Sequence, residues 1–317
     1  MKKISILVMS ILLVLGIYTS NTNAATNCAQ LNGQTKVWWD GIELKPGQIG
    51  RLTIKKDTPL FKLDGNKRIN SRTLKAGEFY RIYAFKPGLL SVGGGYYVER
   101  DTRITYQTPS KSKLQLVQQL QVCTIVNKSR ATFSLKDSQG TSYNAYIVSA
   151  NEQKAFGSFS LSATWNMVWA GISEGDALYR GNYKIYLQKA GSSTITDTGI
   201  KLDDYIYNAT RKTIYEIPST DQGQPDLFAV ASTESSNFES ANMYYVNNGQ
   251  LFRVKVGFED EWYSTIFYSV RPYSVGELTY KTKEYNNAEG VWSIYTWLLN
   301  PNNAELQLID SQEEYNY

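Results

Sequence analysis

The amino-acid sequence predicts an all-β protein, with a small β-barrel followed by a larger β-unit and preceded by a cleaved leader. Short segments alternate apolar and polar residues between turns rich in Gly, Pro, Asn and Asp. Tyr, Phe and Trp, which are enriched in strands, number 24, 11 and 7 among the 317 residues. Helical patterns are nearly absent past the leader, and the periodicity of Leu114–Val122 fits either a short helix or a strand.

Residues 1–24 have the pattern of a secretory signal peptide. Lys2 and Lys3 form its positive region, Ile4–Ile17 its apolar region, and Thr22–Ala24 a small-residue cleavage site. The apolar run is too short for a transmembrane helix and no basic stop follows it, so no membrane anchor is predicted. The sequence therefore predicts a secreted, extracellular protein, either free or associated with the cell wall.

Residues 25–124 are predicted to form the small barrel. Its central segment, Phe79–Phe85, alternates apolar and polar residues and lies between turns at 75–77 and 86–88. Further strands are predicted at Leu52–Ile54, Thr58–Leu63, Leu89–Val92 and Tyr96–Val98. Five or six short strands within about seventy residues are typical of a small barrel.

Three segments of this unit resemble the bacterial SH3-like domains of secreted cell-wall proteins. They are Lys56–Phe61 (KDTPLF), Thr73–Glu78 (TLKAGE) and the glycine run that ends in Tyr97-Val98. The resemblance covers residues 37–108 and implies an SH3-like barrel. Members of that family commonly bind peptidoglycan or other wall components, but no residue-specific ligand motif carries over to this sequence.

The glycine run itself, Gly93–Gly95, does not have the pattern of a phosphate-binding loop. A strand follows it where such a loop needs a helix, and no Gly-Lys-Ser/Thr is present. The run is therefore predicted to be a break or bulge within the sheet.

The two cysteines, Cys28 and Cys123, lie at the two edges of the first unit. In an oxidising exterior they are predicted to form a disulfide. The bridge closes a loop of 96 residues, for which chain-entropy models give about 4–5 kcal/mol of stabilisation.

Charge is divided unequally between the two parts of the chain. Residues 25–124 carry 16 Lys and Arg against 7 Asp and Glu, whereas residues 125–317 carry 15 against 22. A basic unit on an exported protein suits an anionic partner, such as peptidoglycan or teichoic acid, or another surface carbohydrate. Export argues against nucleic acid as the partner. Solubility alone is the alternative explanation of the charge.

Two adjacent tryptophans, Trp38 and Trp39, lie on a predicted strand, so their side chains point to opposite faces. One is expected to face the core and the other solvent or a neighbouring layer. Stacking of the exposed ring on a sugar is the alternative to a structural role.

Pro109–Lys113 is a turn-rich connector, and the boundary between the two units is predicted near Cys123–Lys128.

Residues 125–312, followed by a tail at 313–317, are predicted to form an acidic, aromatic-rich all-β unit. Asn248-Gly249 supplies the two positive-φ residues that a type I′ hairpin turn needs. Four hairpin-like segments are predicted: Ser142–Leu161, Asn182–Leu202, Met243–Val256 and Val291–Ile309.

The tyrosines at the centres of these segments, at positions 146, 186, 245 and 295, recur after 40, 59 and 50 residues, which is the scale of a propeller blade. Residues 224–230 (QPDLFAV), leading into a hairpin, also resemble the repeats of integrin-type and related β-propellers. The Asp-x-Asp-x-Asp-Gly calcium loop of such repeats is absent, so calcium binding does not carry over. A two-sheet β-sandwich explains the same alternation and stands as the alternative.

The absence of histidine limits the chemistry open to this chain. It excludes Ser-His-Asp and Cys-His catalysis and imidazole-ligated zinc, and no metal site or cofactor is predicted. A carboxylate pair, as in glycoside hydrolysis, is the remaining enzymatic option. Its candidates are Asp203-Asp204 and Glu259–Glu261, the latter beside Trp262, although both clusters also fit solvated turns.

Together these patterns predict a non-enzymatic protein that binds at the cell surface. A carboxylate-dependent, carbohydrate-active hydrolase and a structural matrix or coat component are the alternatives. The candidate binding residues are Trp38, Trp39, Tyr80, Tyr96 and Tyr97 in the first unit and Trp262 and Trp297 in the second.

Overall fold

The computed structural model describes residues 28–31, 33–65, 67–258 and 261–315. The predicted leader, residues 1–24, lies outside the described residues. Within them the chain forms 26 strands, one α-helix and one short 3-10 helix. The predicted all-β fold class is confirmed.

Two sheets enclose the core of the first unit. One has the strand order β10-β3-β6 and the other β5-β4-β9-β8-β7, while β1 and β2 form a separate hairpin. The strands are β1 (Val37–Trp39), β2 (Ile42–Leu44), β3 (Gly50–Ile54), β4 (Thr58–Asp64), β5 (Lys67–Leu74), β6 (Phe79–Ile82), β7 (Ala84–Lys86), β8 (Leu89–Gly93), β9 (Tyr96–Glu99) and β10 (Ile104–Gln107). Their shared core contains Leu52, Ile54, Leu60, Leu74, Ile82, Leu90, Val98 and Ile104. The described strands pair as two sheets and not as one closed barrel.

The predicted strand Phe79–Phe85 is two strands, because the chain passes from one sheet to the other at Tyr83. The Tyr83 amide donates to the Ser91 carbonyl at 2.9 Å and so begins pairing with the second sheet. Gly93 makes room for this crossing, since a Cβ there would lie 3.1 Å from the Tyr83 ring. Gly93, with its two successors, also has positive φ, and the β8–β9 register shifts beside it. The predicted bulge is therefore confirmed.

The segment left open between helix and strand is the centre of an 18-residue helix, α1 (Lys111–Lys128). Ser110 caps its N-terminus, and Leu and Gln, both good helix formers, fill much of its length. Val117 packs with Val37 and Leu44 of the β1–β2 hairpin. The predicted boundary near residues 123–128 lies inside this helix, which also contacts the second unit. Among the described residues, no helix is long and apolar enough to cross a bilayer.

The predicted disulfide between Cys28 and Cys123 is confirmed. It joins the 3-10 helix Cys28–Leu31 to α1, with the two Cα atoms 5.5 Å apart. Cys123 is buried. The bridge therefore fixes the beginning of the described chain to the helix that follows the first unit.

Three sheets build the second unit. The strands are β11 (Ser129–Lys136), β12 (Ser142–Ser149), β13 (Gln153–Phe156), β14 (Ala177–Lys189), β15 (Thr196–Asn208), β16 (Ile214–Ile217), β17 (Leu227–Thr233), β18 (Glu239–Asn247), β19 (Gln250–Arg253), β20 (Lys255–Phe258), β21 (Glu261–Tyr263), β22 (Ile266–Tyr268), β23 (Val270–Gly276), β24 (Thr279–Asn286), β25 (Val291–Asn300) and β26 (Glu305–Tyr315). The first sheet contains β11–β15. The middle sheet contains β16–β19 and β22, and the last sheet has the order β21-β20-β26-β25-β24-β23.

The middle sheet is buried on both faces, so the three sheets form layers. On β17, Phe228 and Val230 belong to the core shared with the first sheet, while Leu227 and Ala229 belong to the core shared with the last sheet. No buried cluster of the described residues joins the first sheet to the last. The sheets therefore do not close into the ring of a propeller, and the stack has one layer more than the predicted sandwich.

Three of the four predicted hairpins are confirmed by strand pairing, namely those in 182–202, 243–256 and 291–309. Asn248 and Gly249 have φ of 48° and 75°, as the type I′ turn requires. The hairpin at Ser142–Leu161 is wrong, because β12 and β13 both pair with β14 and not with each other. The 13 residues of β14 are long enough for the two shorter strands to lie end to end along it.

Candidate functional site

Aromatic rings and cations alternate across the solvent-facing side of the larger sheet of the first unit. Phe61 and Tyr97 lie directly opposite each other on β4 and β9, and the residue after Tyr97 is buried in the core on the other side. The Lys86 ammonium lies 4.7 Å from the centre of the Tyr97 ring, and the Arg68 guanidinium 5.0 Å from that of Phe61. The Phe61 ring is only 2% exposed, so it supports the Arg68 guanidinium from beneath and is itself covered. We call Phe61, Arg68, Lys86 and Tyr97 the cation–aromatic face.

Similar pairs surround this face. Cation-to-ring distances of 4.6 to 5.9 Å occur at Arg51–Phe79, Lys62–Tyr96, Arg72–Tyr80 and Arg100–Tyr106. Two of the candidate tyrosines, Tyr80 and Tyr96, also pack against the core, so only part of each ring is accessible. Among the described ion pairs, none uses Lys62, Lys86 or Arg100. These cations therefore remain open to an anionic partner.

The side chains of the adjacent tryptophans, Trp38 and Trp39, point to opposite faces of β1, as strand alternation predicts. Trp38 is 59% exposed, whereas Trp39 packs against α1. The neighbouring Asp40 carboxylate pairs with Arg51, whose guanidinium lies over the exposed Phe79 ring. Trp38 thus belongs to the β1–β2 hairpin and is separate from the cation–aromatic face.

In the second unit, the structure does not bring Trp262 and Trp297 together. Tyr263 pairs with the buried Val256 and lines a pocket while half exposed, and Trp262, on the opposite face of the strand, lies over Gly257. A Cβ at Gly257 would come within 2.8 Å of the Trp262 ring, so glycine is required there. Trp297 is 5% exposed and forms part of a pocket wall.

That pocket, of about 270 Å³, opens where the middle and last sheets of the second unit separate. We call it the aromatic pocket. Among its described lining residues there is one carboxylate, that of Glu284 on β24. Its lining residues are Val256, Phe258, Tyr263, Thr265, Ile266, Phe267, Glu284, Tyr295 and Trp297.

Burial raises the pKa of Glu284 from its ordinary value of 4.5 to about 7. Desolvation is the cause of this shift, and no hydrogen bond or ion pair with another described residue opposes it. The titratable side chains that share the pocket are the tyrosines Tyr263 and Tyr295. Near neutral pH the aromatic pocket therefore holds a carboxyl group that gains or loses its proton easily.

We expect the Glu284→Gln variant to be more stable than the wild type above neutral pH and equally stable in weak acid. The folded protein holds the Glu284 proton up to about pH 7 and the unfolded chain only up to about 4.5, so wild-type stability falls as pH rises through this window. After discounting for partial solvent access, the expected gain at about pH 8 is about 1 kcal/mol.

Urea unfolding at about pH 4 and about pH 8 measures this difference. Glu174→Gln, which removes the same charge from an exposed loop residue, is the matched control and should change neither value. An equal effect of Glu284→Gln at both pH values would show that the carboxyl group does not titrate in this window.

The predicted carboxylate clusters do not form a catalytic pair among the described residues. Asp204 pairs with Arg180 at 2.6 Å, which lowers the pKa of the Asp204 carboxyl. Glu259 and Asp260 lie outside the described residues, and Glu261 accepts a hydrogen bond from Tyr263. Over the described parts of the chain, no group of three His, Cys, Asp or Glu side chains is placed to hold a metal ion.

Two features of the surface were not found from the sequence. One is Glu284, which lies in an ordinary alternating strand and gains its environment only from the packing of two sheets. The other is the segment 157–176, which joins β13 to β14 and exposes Phe159, Leu161 and Trp169. Its lack of strand alternation was the available indication, but the incorrect hairpin at 142–161 covered its first part.

Comparisons with known proteins do not assign this site. The sequence matches no model of a known protein family. It also has no significant match among curated proteins.

Proposed function

We propose that this protein is a secreted, non-enzymatic binding protein whose first unit attaches to an anionic cell-wall polymer, peptidoglycan or teichoic acid, or to a surface carbohydrate. The observation that carries the proposal is the cation–aromatic face, where Lys86 and Arg68 lie over the rings of Tyr97 and Phe61. The resemblance of residues 37–108 to SH3-like cell-wall domains is consistent with it.

The chemistry of such a face suits a charged glycan. The partly exposed Tyr97 ring offers apolar surface for the face of a sugar ring, and the cations offer charge-assisted hydrogen bonds to phosphate or carboxylate groups. Each cation is already held over its ring, so less side-chain freedom is lost on binding. The excess of 16 basic over 7 acidic residues in 25–124 adds long-range attraction, which salt weakens.

The second unit is acidic and is joined to the first through α1, which packs on the β1–β2 hairpin and contacts β12. An anionic polymer would be repelled by the second unit and attracted by the first. Binding through the first unit therefore leaves the second unit directed away from the polymer.

We expect the double variant Lys62→Gln/Lys86→Gln to sediment with purified peptidoglycan carrying teichoic acid about two- to thirtyfold more weakly than the wild type, because each lysine removed deletes one exposed ion pair with the polymer, worth about 0.2–1 kcal/mol. The measurement is co-sedimentation at low salt and at about 0.5 M salt, where the wild type should also bind more weakly. Lys189→Gln/Lys201→Gln, which removes two charges from exposed lysines of the second unit, is the matched control and should bind like the wild type.

An equal loss of wall binding in the two double variants would contradict the proposal, because binding would then depend on the net charge of the protein and not on the cation–aromatic face. Repeating the assay after removal of teichoic acid from the wall preparation shows whether peptidoglycan or teichoic acid is the polymer that is bound. Release of reducing sugar by the wild type, abolished by Glu259→Gln or Asp260→Asn, would instead favour the hydrolase. Concentration-dependent assembly without wall binding would favour the matrix component.

A further inference from the structure

The aromatic pocket lies where β24 extends beyond the hydrophobic core between the middle and last sheets. Tyr280, Thr282 and Glu284 alternate along the inward face of this strand, and the first two are fully buried between the middle and last sheets. Thr282 Oγ accepts a hydrogen bond of 2.9 Å from Trp297 Nε1, which fixes the indole at the inner wall. Glu284 is the next inward-facing residue of β24, at the point where the two sheets separate and the core opens to solvent.

Aromatic rings form the walls around this carboxylate. Tyr295 and Trp297 come from the strand beside Glu284, with ring centres 6.0 Å apart, and Phe258 meets Tyr295 edge to face at 6.5 Å. Ile266 closes the pocket from the middle sheet and Tyr263 from β21, whereas the Phe267 ring points to the other face of β22 and stacks on Phe238. Three strands of the last sheet thus direct aromatic surface towards one space.

The charge in this space is unbalanced. No lysine or arginine is among the described residues that line it, and none of the described residues forms an ion pair with the Glu284 carboxylate. The next residue towards the N-terminus, Lys283, is on the other face of the strand and pairs with Glu314. The surrounding residues 125–317 are acidic overall, which attracts cations towards the opening.

We propose that the aromatic pocket binds a quaternary ammonium group, with the Glu284 carboxylate as its counter-ion and the rings of Phe258, Tyr263, Tyr295 and Trp297 as its walls. Such a group carries charge without N–H donors, and aromatic rings around a carboxylate are suited to it. The pocket is just below the usual size range of drug-binding pockets, which suits a small head group.

Other small ligands fit the lining less well. A primary ammonium has three N–H donors to satisfy, and the Glu284 carboxylate provides the one charged acceptor of the described lining. The Thr265 hydroxyl donates to Asn242 Oδ1, and the Tyr263 hydroxyl donates to Glu261. A neutral sugar would leave the carboxylate without a counter-ion, and a pocket with so few polar groups would satisfy few of its hydroxyls.

Isothermal titration of the full chain with three matched ligands tests this inference. At about pH 8, where the Glu284 carboxyl is ionised, choline should bind at least about tenfold more tightly than ethanolamine, its primary-amine counterpart. It should also bind at least about tenfold more tightly than 3,3-dimethyl-1-butanol, its neutral carbon counterpart.

Variants locate the site. Glu284→Gln should weaken choline binding at least about tenfold and leave dimethylbutanol binding unchanged, while Glu174→Gln should change neither. Tyr263→Leu, at a half-exposed position of the wall, should weaken choline binding without loss of folding. Equal binding of choline and dimethylbutanol, tighter binding of ethanolamine, or absence of choline binding up to about 10 mM would overturn the proposal.

The result is independent of the proposed function. Wall binding is assigned to the first unit, so Glu284→Gln should sediment with the wall polymer as the wild type does. Failure of choline binding with intact wall binding would reject the pocket alone, and the reverse outcome would reject the polymer site alone.

Discussion

Replacing Cys28 and Cys123 by alanine is expected to lower the free energy of unfolding of the first unit by up to about 4–5 kcal/mol, because their bridge spans 95 residues and restricts the unfolded chain over the whole of that unit. No other substitution proposed for this protein is expected to lower the free energy of unfolding by more. Since a typical domain has a stability of only about 5–15 kcal/mol, the first unit of the variant should be partly unfolded at body temperature.

Urea unfolding followed separately in the two units measures the loss. Circular dichroism reports the whole chain, and limited proteolysis identifies which unit opens. Wild-type protein treated with a reductant should behave like the Cys28→Ala/Cys123→Ala variant, and the reductant should not change the variant further. A wild type with two titratable thiols and no response to reductant would contradict the bridge.

Phe228→Ala is expected to destabilise the second unit by about 3–5 kcal/mol, the usual cost of deleting a buried phenyl ring. The ring is fully buried in the middle sheet, with Phe133 of the first sheet at 5.6 Å and Tyr244 at 5.1 Å. Its loss leaves a cavity between two layers, and a cavity bounded by paired strands collapses poorly.

Denaturant unfolding of Phe228→Ala should show a lower midpoint for the second unit and an unchanged transition for the first. Phe159→Ala, at a position 67% exposed, is the matched control and should shift stability by no more than about 0.5 kcal/mol. Comparable losses from both substitutions would contradict the three-layer arrangement, because Phe228 would then not be enclosed between sheets.

The parts of the fold that depend on local chemistry were predictable from sequence. The turn at Asn248-Gly249 requires positive φ at both residues, and the opposed directions of Trp38 and Trp39 follow from strand geometry. The bridge of Cys28 to Cys123 followed from the positions of the cysteines and from the predicted export of the chain.

Features that depend on how sheets meet were not predictable. Tyr83 looks like the middle of one strand, and only the packing around Gly93 shows that the chain changes sheets there. Residues 114–122 contain types that suit helix and strand alike, and their helical state is stabilised by packing on the β1–β2 hairpin. The pocket around Glu284 combines strands that are distant in sequence, so alternation along any one of them gives no sign of it.

The candidate binding residues differ in how accessible the structure leaves them. Tyr97 and Trp38 are accessible, as a contact role requires, whereas Trp297 is a buried wall and Trp39 a packing residue against α1. Sequence placed aromatic residues on the correct strands. The choice between ligand contact and core depended on tertiary packing, since Trp and Tyr serve both purposes.

Strand β5 is the outermost strand of its sheet, and seven of its eight residues are exposed. Its free backbone groups are a template on which a strand of a second molecule can add, and charged side chains are a common protection against such self-association. Lys67, Arg68 and Arg72 provide that protection here. If a polyanion binds the first unit as proposed, it would neutralise these charges and bring molecules together, so the same charges that attract the polymer would also control strand addition between molecules.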